Sequence, residues 1–435
     1  MTDGTASVVT GKVRFNYANR RQYEWRDACL DELITDDHAV RAVWQFVERL
    51  DLTPIIATYR AVEGTPGANA VDVRILMALW LYATLRGIGS ARELDRRCGT
   101  QGELAFQWIC GGVSVNYHTL STFRTRHGEA LDGLLTDSVA VLLDQELVDM
   151  ERVAQDGVRV RASAGSSSFR RRPTLEEHLQ EAELQVHTLK TELEQDPGSD
   201  SRRQRAAKGR AAHERKARLE EAVKQLQEVE AKKQEQDKPK ARVSTTDPDA
   251  RVMKMANGGF NPAYNVQIAT DTKTQLITGV DVTNNGGDRG EMSAMFEQHR
   301  ERYGRVPNEY LVDGGFSSKE DVEKVSRRTD DSPGTTVYAP LRKCRNGEDP
   351  HVRRDQESAA VGDWRERMGT EAAQEIYKDR AATAECVNAI ARNRGLQQFR
   401  VRGQVKVKAI VLWFALAHNL IRTAALLGQP VVVLR

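Results

Sequence analysis

Three acidic residues occupy positions that metal-dependent phosphoryl transfer could use. Asp156 lies in the segment VAQDGVRVRAS, Asp313 ends the apolar run EYLVD, and Glu385 lies within YKDRAATAECVNAIARNRG. Carboxylates are the ligands that Mg²⁺ and Mn²⁺ prefer, and two such ions can activate an attacking oxygen and stabilise a leaving one. Each acid alone is weak evidence, but two at strand ends and one on a later helix form a stronger pattern. We therefore take these three as candidate catalytic and metal-binding residues.

Phosphodiester chemistry also needs cations that hold phosphate groups. Arg392 follows Glu385 by seven residues, so the two share one face of a helix and lie about 10 Å apart. Tyr377 and Arg380 precede Glu385 by one or two turns and could jointly hold a phosphate. Lys254, in the segment MKMANGG, is a further candidate for a phosphate contact, with a solvated surface lysine as the alternative.

Strands mixed with helices along residues 151–435 must position these side chains. Ala154, Val158 and Val160 alternate as in a half-buried strand, and Asp156 falls on their face, where a carboxylate needs a partner. Further strands are predicted at 264–270, 276–283, 309–313 and near Val337, and helices at 289–303, 371–394 and 407–427. This mixture predicts an α/β catalytic domain with helices on both sides of a sheet.

Residues 1–150 are predicted to form a helical DNA-binding domain. Two short helices, at 104–109 and 119–127, flank a glycine turn and suggest a helix-turn-helix-like arrangement. The second of them would present Arg124 and Arg126 outward to DNA. The alternative interpretation is a surface helix with ordinary solvated arginines.

An inserted antiparallel helical hairpin is predicted at residues 170–242. Apolar residues follow a heptad seam on each side of the break Pro197-Gly198-Ser199-Asp200. The first helix is rich in acids, and the second begins with the basic run SRRQRAAKGR, which contains Arg202, Arg203 and Arg205. Two explanations remain open: the basic helix neutralises the acidic one, or its arginines contact the DNA backbone.

The composition excludes several classes of protein. The net charge of +2 does not by itself indicate binding to nucleic acid, so any such indication must come from local clusters of charge. The longest apolar run, 409–421, is too short for a membrane span. The five cysteines are scattered without a CxxC pair, as expected of reduced thiols in the cytoplasm. We therefore expect neither a membrane protein nor a disulfide-rich secreted scaffold.

The chain resembles the DDE transposases of bacterial insertion sequences, in the group marked by a Tyr-Arg-Glu-Lys signature. The resemblance begins near Phe15 and covers nearly the whole chain. It includes LWLYATLRGIGSARELDRRC, STTDPDARVMKMANGGFNPAYNVQIATD, VTNNGGDRGEM and YKDRAATAECVNAIARNRGLQQFRVRG. It implies an RNase H-like catalytic domain with Asp156, Asp313 and Glu385 as its triad. The signature tyrosine, arginine and glutamate fall on Tyr377, Arg380 and Glu385.

Two features of this sequence depart from that signature. Four residues separate Arg380 from Glu385 where many relatives have three, and Arg392 stands where the signature has lysine. Arginine keeps the positive charge but differs from lysine in its geometry. No other acid nearby fits the position of the signature glutamate better than Glu385.

The resemblance implies a function as well as a fold. A transposase of this family binds the terminal inverted repeats of its element and performs strand cleavage and then strand transfer, with two Mg²⁺ or Mn²⁺ ions in each active site. Its partners would be double-stranded DNA, as inverted repeats and as target, and a second copy of the chain when bound to DNA. We expect it in the bacterial cytoplasm, on the nucleoid when DNA-bound. The alternatives are a nuclease of the same fold without strand transfer and an inactive DNA-binding or scaffold derivative.

Overall fold

The computed structural model describes residues 29–60, 69–99, 101–195, 202–328, 334–344 and 347–428. They form helices around a mixed β-sheet, so the predicted α/β class is confirmed. A large hydrophobic core runs without interruption from the N-terminal helices into the sheet. The side chains that the sequence singled out therefore sit on one connected framework.

Seven helices precede the first strand in the described part of the chain. The third of them is buried on nearly every face because its sequence, VRILMALWLYATL, is apolar throughout. Ser90 caps the fourth helix as its sequence predicts, since its hydroxyl accepts from the backbone N–H of Glu93 at 3.4 Å. These helices are α1 (Ala39–Glu48), α2 (Thr53–Ile56), α3 (Val73–Leu85), α4 (Ala91–Cys98), α5 (Leu104–Cys110), α6 (Tyr117–Arg126) and α7 (Gly128–Asp144).

The main sheet brings distant segments together. Its strands are β1 (Arg152–Arg161), β4 (Arg251–Lys254), β5 (Phe260–Asp271), β6 (Ile277–Thr283), β7 (Glu309–Leu311) and β8 (Thr336–Tyr338). Their order is β4-β5-β1-β7-β8, with β6 also paired to β5. β1 runs antiparallel to β5 and parallel to β7, and β7 runs parallel to β8. Because β1 and β7 are parallel and adjacent, side chains near their carboxyl ends meet at one edge.

Helices cover the sheet and carry the remaining candidate residues. They are α10 (Glu291–Tyr303), α11 (Lys319–Ser326), α12 (Ala359–Met368), α13 (Glu371–Arg380), α14 (Cys386–Asn393) and α15 (Gln404–Leu426). A π-helical turn, Ala381–Glu385, joins α13 to α14, so the single helix predicted at 371–394 is interrupted. α15 is long and apolar enough to cross a membrane by length and composition, but it is mostly buried against α3, α7 and β6. We interpret it as a core helix.

The inserted hairpin has a small core of its own. It consists of α8 (Arg172–Gln195) and α9 (Arg202–Ala231), with the short strands β2 (Phe169–Arg170) and β3 (Val243–Ser244) paired at its base. Its apolar seam is buried where the heptad pattern predicts, and the buried residues include Leu175, Ala182, Leu219, Ala222 and Leu226. The seam therefore holds the two helices together.

Ion pairs also join the two helices of the hairpin. Arg215 pairs with Glu181 at 3.1 Å, and Lys216 pairs with Glu183 at 3.4 Å. These contacts favour mutual neutralisation of the two helices at this level of the hairpin. They do not involve the basic run at the start of α9.

Candidate active site

Asp156 and Asp313 lie just beyond the stretch over which β1 and β7 pair: Asp156 is in the middle of β1, not at its end as the sequence suggested, and Asp313 follows the end of β7. Ala154 of β1 pairs with Leu311 of β7, and each aspartate follows its paired residue by two positions. Burial raises the pKa of Asp156, the charge of Arg380 lowers it, and the charge of Asp313 raises it again. The two carboxylates are therefore close enough to repel each other.

Asp156 has the partners that its place on the strand demands. Arg380 donates from Nη2 to Oδ1 of Asp156 at 3.1 Å, and Asn388 donates from Nδ2 to Oδ2 at 2.8 Å. The backbone N–H of Gly157 donates to Oδ1 at 3.0 Å. These contacts fix the carboxylate in position.

The π-helical turn contains the extra residue that separates Arg380 from Glu385. A π-turn closes its hydrogen bond between residues five apart, so it holds one more residue than an α-turn. The turn spans Ala381–Glu385 and packs against β1 and β5. An additional residue between Arg380 and Glu385 is therefore accommodated within this turn. Such single turns are frequent at functional sites.

The third predicted acid is placed differently from the first two. Glu385 is exposed at the end of the π-turn, whereas Ala384 beside it and Asn388 one turn later are buried. Within the described ranges no group of three His, Cys, Asp or Glu residues could hold a metal ion. The structure thus brings Asp156 and Asp313 together but does not bring Glu385 into a three-ligand group with them. The two aspartates alone still suit a hard cation, because both offer only oxygen donors.

A groove of about 850 Å³ opens beside Asp156. Both predicted phosphate-binding residues of this region, Lys254 and Arg392, line it and are exposed. Arg159 and Arg161 of β1 add two further cations to its wall. An aspartate within a mainly cationic groove is an arrangement that can receive a phosphodiester backbone.

Tyr377 lies beside the same carboxylates. Burial raises the pKa of its hydroxyl, the charge of Arg380 lowers it, and the charges of Asp313 and Asp156 raise it again. Tyr377 and Arg380 are therefore near each other, as their spacing predicts, and both lie next to the aspartate pair.

Two polar residues at the site were missed by sequence reasoning. Asn388 stands one turn beyond Glu385, a spacing that could have identified it. Asp288 is buried, and its Oδ1 accepts from Asn265 at 2.7 Å and from Gln267 at 3.0 Å, while Oδ2 pairs with Arg159 at 2.7 Å. The only sequence signal for Asp288 is its place in the family-like segment VTNNGGDRGEM.

Asp288 explains why residue 157 is glycine. A Cβ atom at this position would lie 2.4 Å from Oδ1 of Asp288, which is closer than real Cβ contacts allow. A Cβ at Gly315 would similarly lie 2.8 Å from Oδ1 of Asp313 and 3.5 Å from Oδ2 of Asp288. The backbone is thus packed tightly around the carboxylates, which keeps their positions fixed.

The predicted DNA-reading helix corresponds to α6, and its two arginines differ. Arg126 is exposed and lines a groove of about 720 Å³ together with His118, Thr119 and Thr122. The expectation that Arg124 points outward is wrong. Its guanidinium lies 4.4 Å from the ring centroid of Trp80, and Nη1 donates to the carbonyl of Gly89 at 2.6 Å.

The physical reason for the inward position of Arg124 is helical periodicity. Leu120 and Phe123, four and one residues earlier, are buried against the core, so position 124 falls on the same face.

In the hairpin, the side chains of Arg202 and Arg203 lie outside the described residues, and Arg205 is half-buried in the first turn of α9.

Two parts of the chain match protein-family models. Residues 342–424 match the model described as a transposase DDE domain, and residues 28–126 match the one described as a transposase domain. The first match contains Tyr377, Arg380, Glu385 and Arg392, and the second contains helices α1 to α6. No curated protein and no solved structure matches the chain.

Proposed function

We propose that this chain, an insertion-sequence transposase of the DDE type, binds the terminal inverted repeats of its element and catalyses strand cleavage followed by strand transfer. The observation that carries the proposal is the pair Asp156 and Asp313 at one edge of the sheet, beside a groove lined by Lys254 and Arg392. The mixed sheet, with its carboxylates on a central strand and on the adjacent parallel strand, supports an RNase H-like catalytic domain.

We assign metal binding to Asp156 and Asp313 from their position in the fold, and to Glu385 from its place in the signature alone, because the structure does not group it with the two aspartates. Two Mg²⁺ or Mn²⁺ ions held there would supply activation of the attacking oxygen and stabilisation of the leaving one. Arg380 and Asn388 orient Asp156, and Asp288 holds Arg159 at the groove. Lys254, Arg392 and the Tyr377–Arg380 pair would hold the phosphate groups of the DNA.

We assign recognition of the DNA ends to the N-terminal helices. Arg126 and the polar side chains of α6 support this, because they line an open groove. The substrate is double-stranded DNA, as inverted repeats and then as target. We also propose that the chain acts as a homodimer on DNA in the bacterial cytoplasm, associated with the nucleoid.

A nicking and joining assay tests this function against its alternatives. The purified chain is incubated with a labelled duplex that carries an end of the element and with a target plasmid, in the presence of Mg²⁺ or of a chelator. We expect a nick at the end of the element only with Mg²⁺. Nicking without joining to target DNA would favour a nuclease, whereas binding without nicking would favour an inactive DNA-binding derivative.

Replacement of Arg392 should affect chemistry more than binding. Arg392→Ala removes a cation from the groove that contains Asp156, so strand transfer should fall by about tenfold or more, with a smaller loss of affinity for the DNA end. Arg392→Lys keeps the charge and should retain substantial activity. Full activity of Arg392→Ala in a strand-transfer assay would remove this residue from the site.

The hairpin prediction concerns the salt dependence of DNA binding. If the run SRRQRAAKGR contacts DNA, neutralising Arg202, Arg203 and Arg205 should reduce the slope of log K against log salt by up to about 0.9 per lost contact. Gel-shift titrations across a salt series measure this slope. An unchanged slope together with a lower melting temperature would instead assign these arginines to pairing within the hairpin.

A further inference from the structure

A small cavity lies between the helical region and the segment that follows α14. Its volume is about 110 Å³, and its wall includes the turn at Gly87 and Gly89 together with Arg124, Arg394 and Arg400. Three of its lining residues are thus cationic, and none of the lining residues that the structure describes is acidic. The cavity is separate from the groove that contains Asp156.

Two of these arginines have buried nitrogen atoms without a partner. Within the described chain, Nε of Arg124 and Nη1 of Arg394 are buried and donate to no hydrogen-bond acceptor. Burial, together with the charge of Arg400, lowers the pKa of Arg124 to about 10. Burial likewise lowers the pKa of Arg394. Buried cations without a counter-charge are destabilising, so this arrangement needs a compensating group.

We propose that this cavity binds a phosphate-type oxyanion, either free phosphate or a phosphate group of DNA. An oxyanion would place a negative charge among the three arginines. Guanidinium groups suit this role because their planar donors match the oxygens of phosphate. The positive charge of the lining and the lack of a nearby described acid both require an anionic ligand.

The size of the cavity sets the size of the ligand. Its 110 Å³ far exceeds the roughly 10–15 Å³ that one water requires, and it is smaller than the roughly 300–1,000 Å³ of sites for drug-sized ligands. A single phosphate group fits this range, whereas a whole nucleotide does not.

The cavity is also linked to the active-site groove through one chain segment. Gln398 lines the cavity, and its neighbour Gln397 lines the groove of Asp156. The same segment extends the sheet, because Gln398 forms a bridge with Arg161 at the end of β1. A bound oxyanion would therefore contact a segment that forms one wall of the active-site groove.

Calorimetric titration with inorganic phosphate tests the site, using the full chain in a phosphate-free buffer. Wild type should bind phosphate, and Arg394→Gln should bind it at least about tenfold more weakly, because a charge-assisted pair is lost. Arg300→Gln is the matched control, since Arg300 is exposed on α10 and pairs with Glu297 at 2.6 Å. The absence of phosphate binding by wild type, or equal binding by Arg394→Gln, would overturn the proposal.

Thermal unfolding separates a binding role from a structural one. Without phosphate, Arg394→Gln should melt no lower than wild type, because it removes an uncompensated buried charge. Phosphate should raise the melting temperature of wild type and of Arg300→Gln, but not that of Arg394→Gln. A lower melting temperature for Arg394→Gln that phosphate still raises as in wild type would contradict the proposal. Arg400→Gln, at the exposed rim of the cavity, provides the same comparison if Arg394→Gln does not fold.

A competition experiment identifies the source of the oxyanion. The phosphate titration is repeated with a saturating amount of a short random-sequence DNA duplex. Weaker phosphate binding would support occupation by the DNA backbone, and unchanged binding would support free phosphate. The first titration does not depend on transposase activity, so loss of the proposed function would leave this site testable.

Discussion

Asp156→Asn and Asp313→Asn should each reduce strand cleavage by at least about a hundredfold to a thousandfold, with DNA binding retained. Asparagine keeps the shape of the side chain but removes a negative charge that a divalent cation requires. Neither residue lies in α6, so binding to the end of the element without Mg²⁺ should persist. Nicking rates and gel-shift affinities measured on the same preparations separate the two effects.

Asp156→Asn should not be unstable. Burial raises the pKa of Asp156 in the folded chain. Because this pKa is higher in the folded than in the unfolded chain, Asp156 contributes most to the stability of the fold at a pH below its unfolded pKa. That contribution is lost as the pH rises through the pKa of the folded chain. At neutral pH the charge of Asp156 is therefore a cost, and Asp156→Asn should keep or raise the melting temperature when no metal is bound.

Asp36→Asn makes the same chemical change at a fully exposed position and is the control. It should alter neither cleavage nor melting temperature. Wild-type cleavage by Asp156→Asn or by Asp313→Asn would remove that residue from the proposed triad. A large loss of stability in Asp156→Asn would show that the carboxylate is there to support the fold.

Glu385→Gln should cause a loss of cleavage comparable to that of the aspartate variants, again with DNA binding retained. Glu385 is exposed at the end of the π-turn, so its replacement should have little effect on the melting temperature. Glu375→Gln is the matched control, because Glu375 is an exposed acid on α13 that pairs with Lys378. Equal nicking rates for Glu385→Gln and Glu375→Gln would exclude Glu385 as the third acid.

The π-turn adds a sharper test of the register of Glu385. Because the turn holds one residue more than an α-turn, deletion of the exposed Ala382 should leave α13 and α14 in nearly their present orientation. That variant, with the spacing common among relatives, should fold and retain much of its cleavage activity. A variant that folds normally but does not cleave would mean that the extra residue has a role in positioning Glu385.

The elements that carry the candidate site were largely predictable because their signals are local. The alternation of Ala154, Val158 and Val160 predicted β1 and the face on which Asp156 lies. The apolar run before Asp313 predicted β7, and the apolar stretch after residue 406 predicted α15. Each signal depends only on the burial of neighbouring residues along one element.

What the sequence did not predict depends on contacts between distant segments. Asp288 reaches Asn265 and Gln267 only after β5 and the loop before α10 have come together. The π-turn could not be recognised from the spacing of apolar residues along the helix, because it inserts only one residue. Arg124 was predicted to be exposed because it is basic, although it lies on the same helix face as the buried Leu120 and Phe123. The cavity around Arg394 combines three segments that are far apart in sequence.

Joining of a donor end to target DNA is the most direct test of the proposed function. Wild type and Asp156→Asn are incubated, with Mg²⁺, with a labelled pre-cleaved end of the element and a supercoiled target plasmid. Wild type should attach the labelled 3′ end to the plasmid, and Asp156→Asn should bind that end without joining it. Joining by Asp156→Asn at the rate of wild type, or no joining by wild type that does nick DNA, would contradict a transposase with this active site.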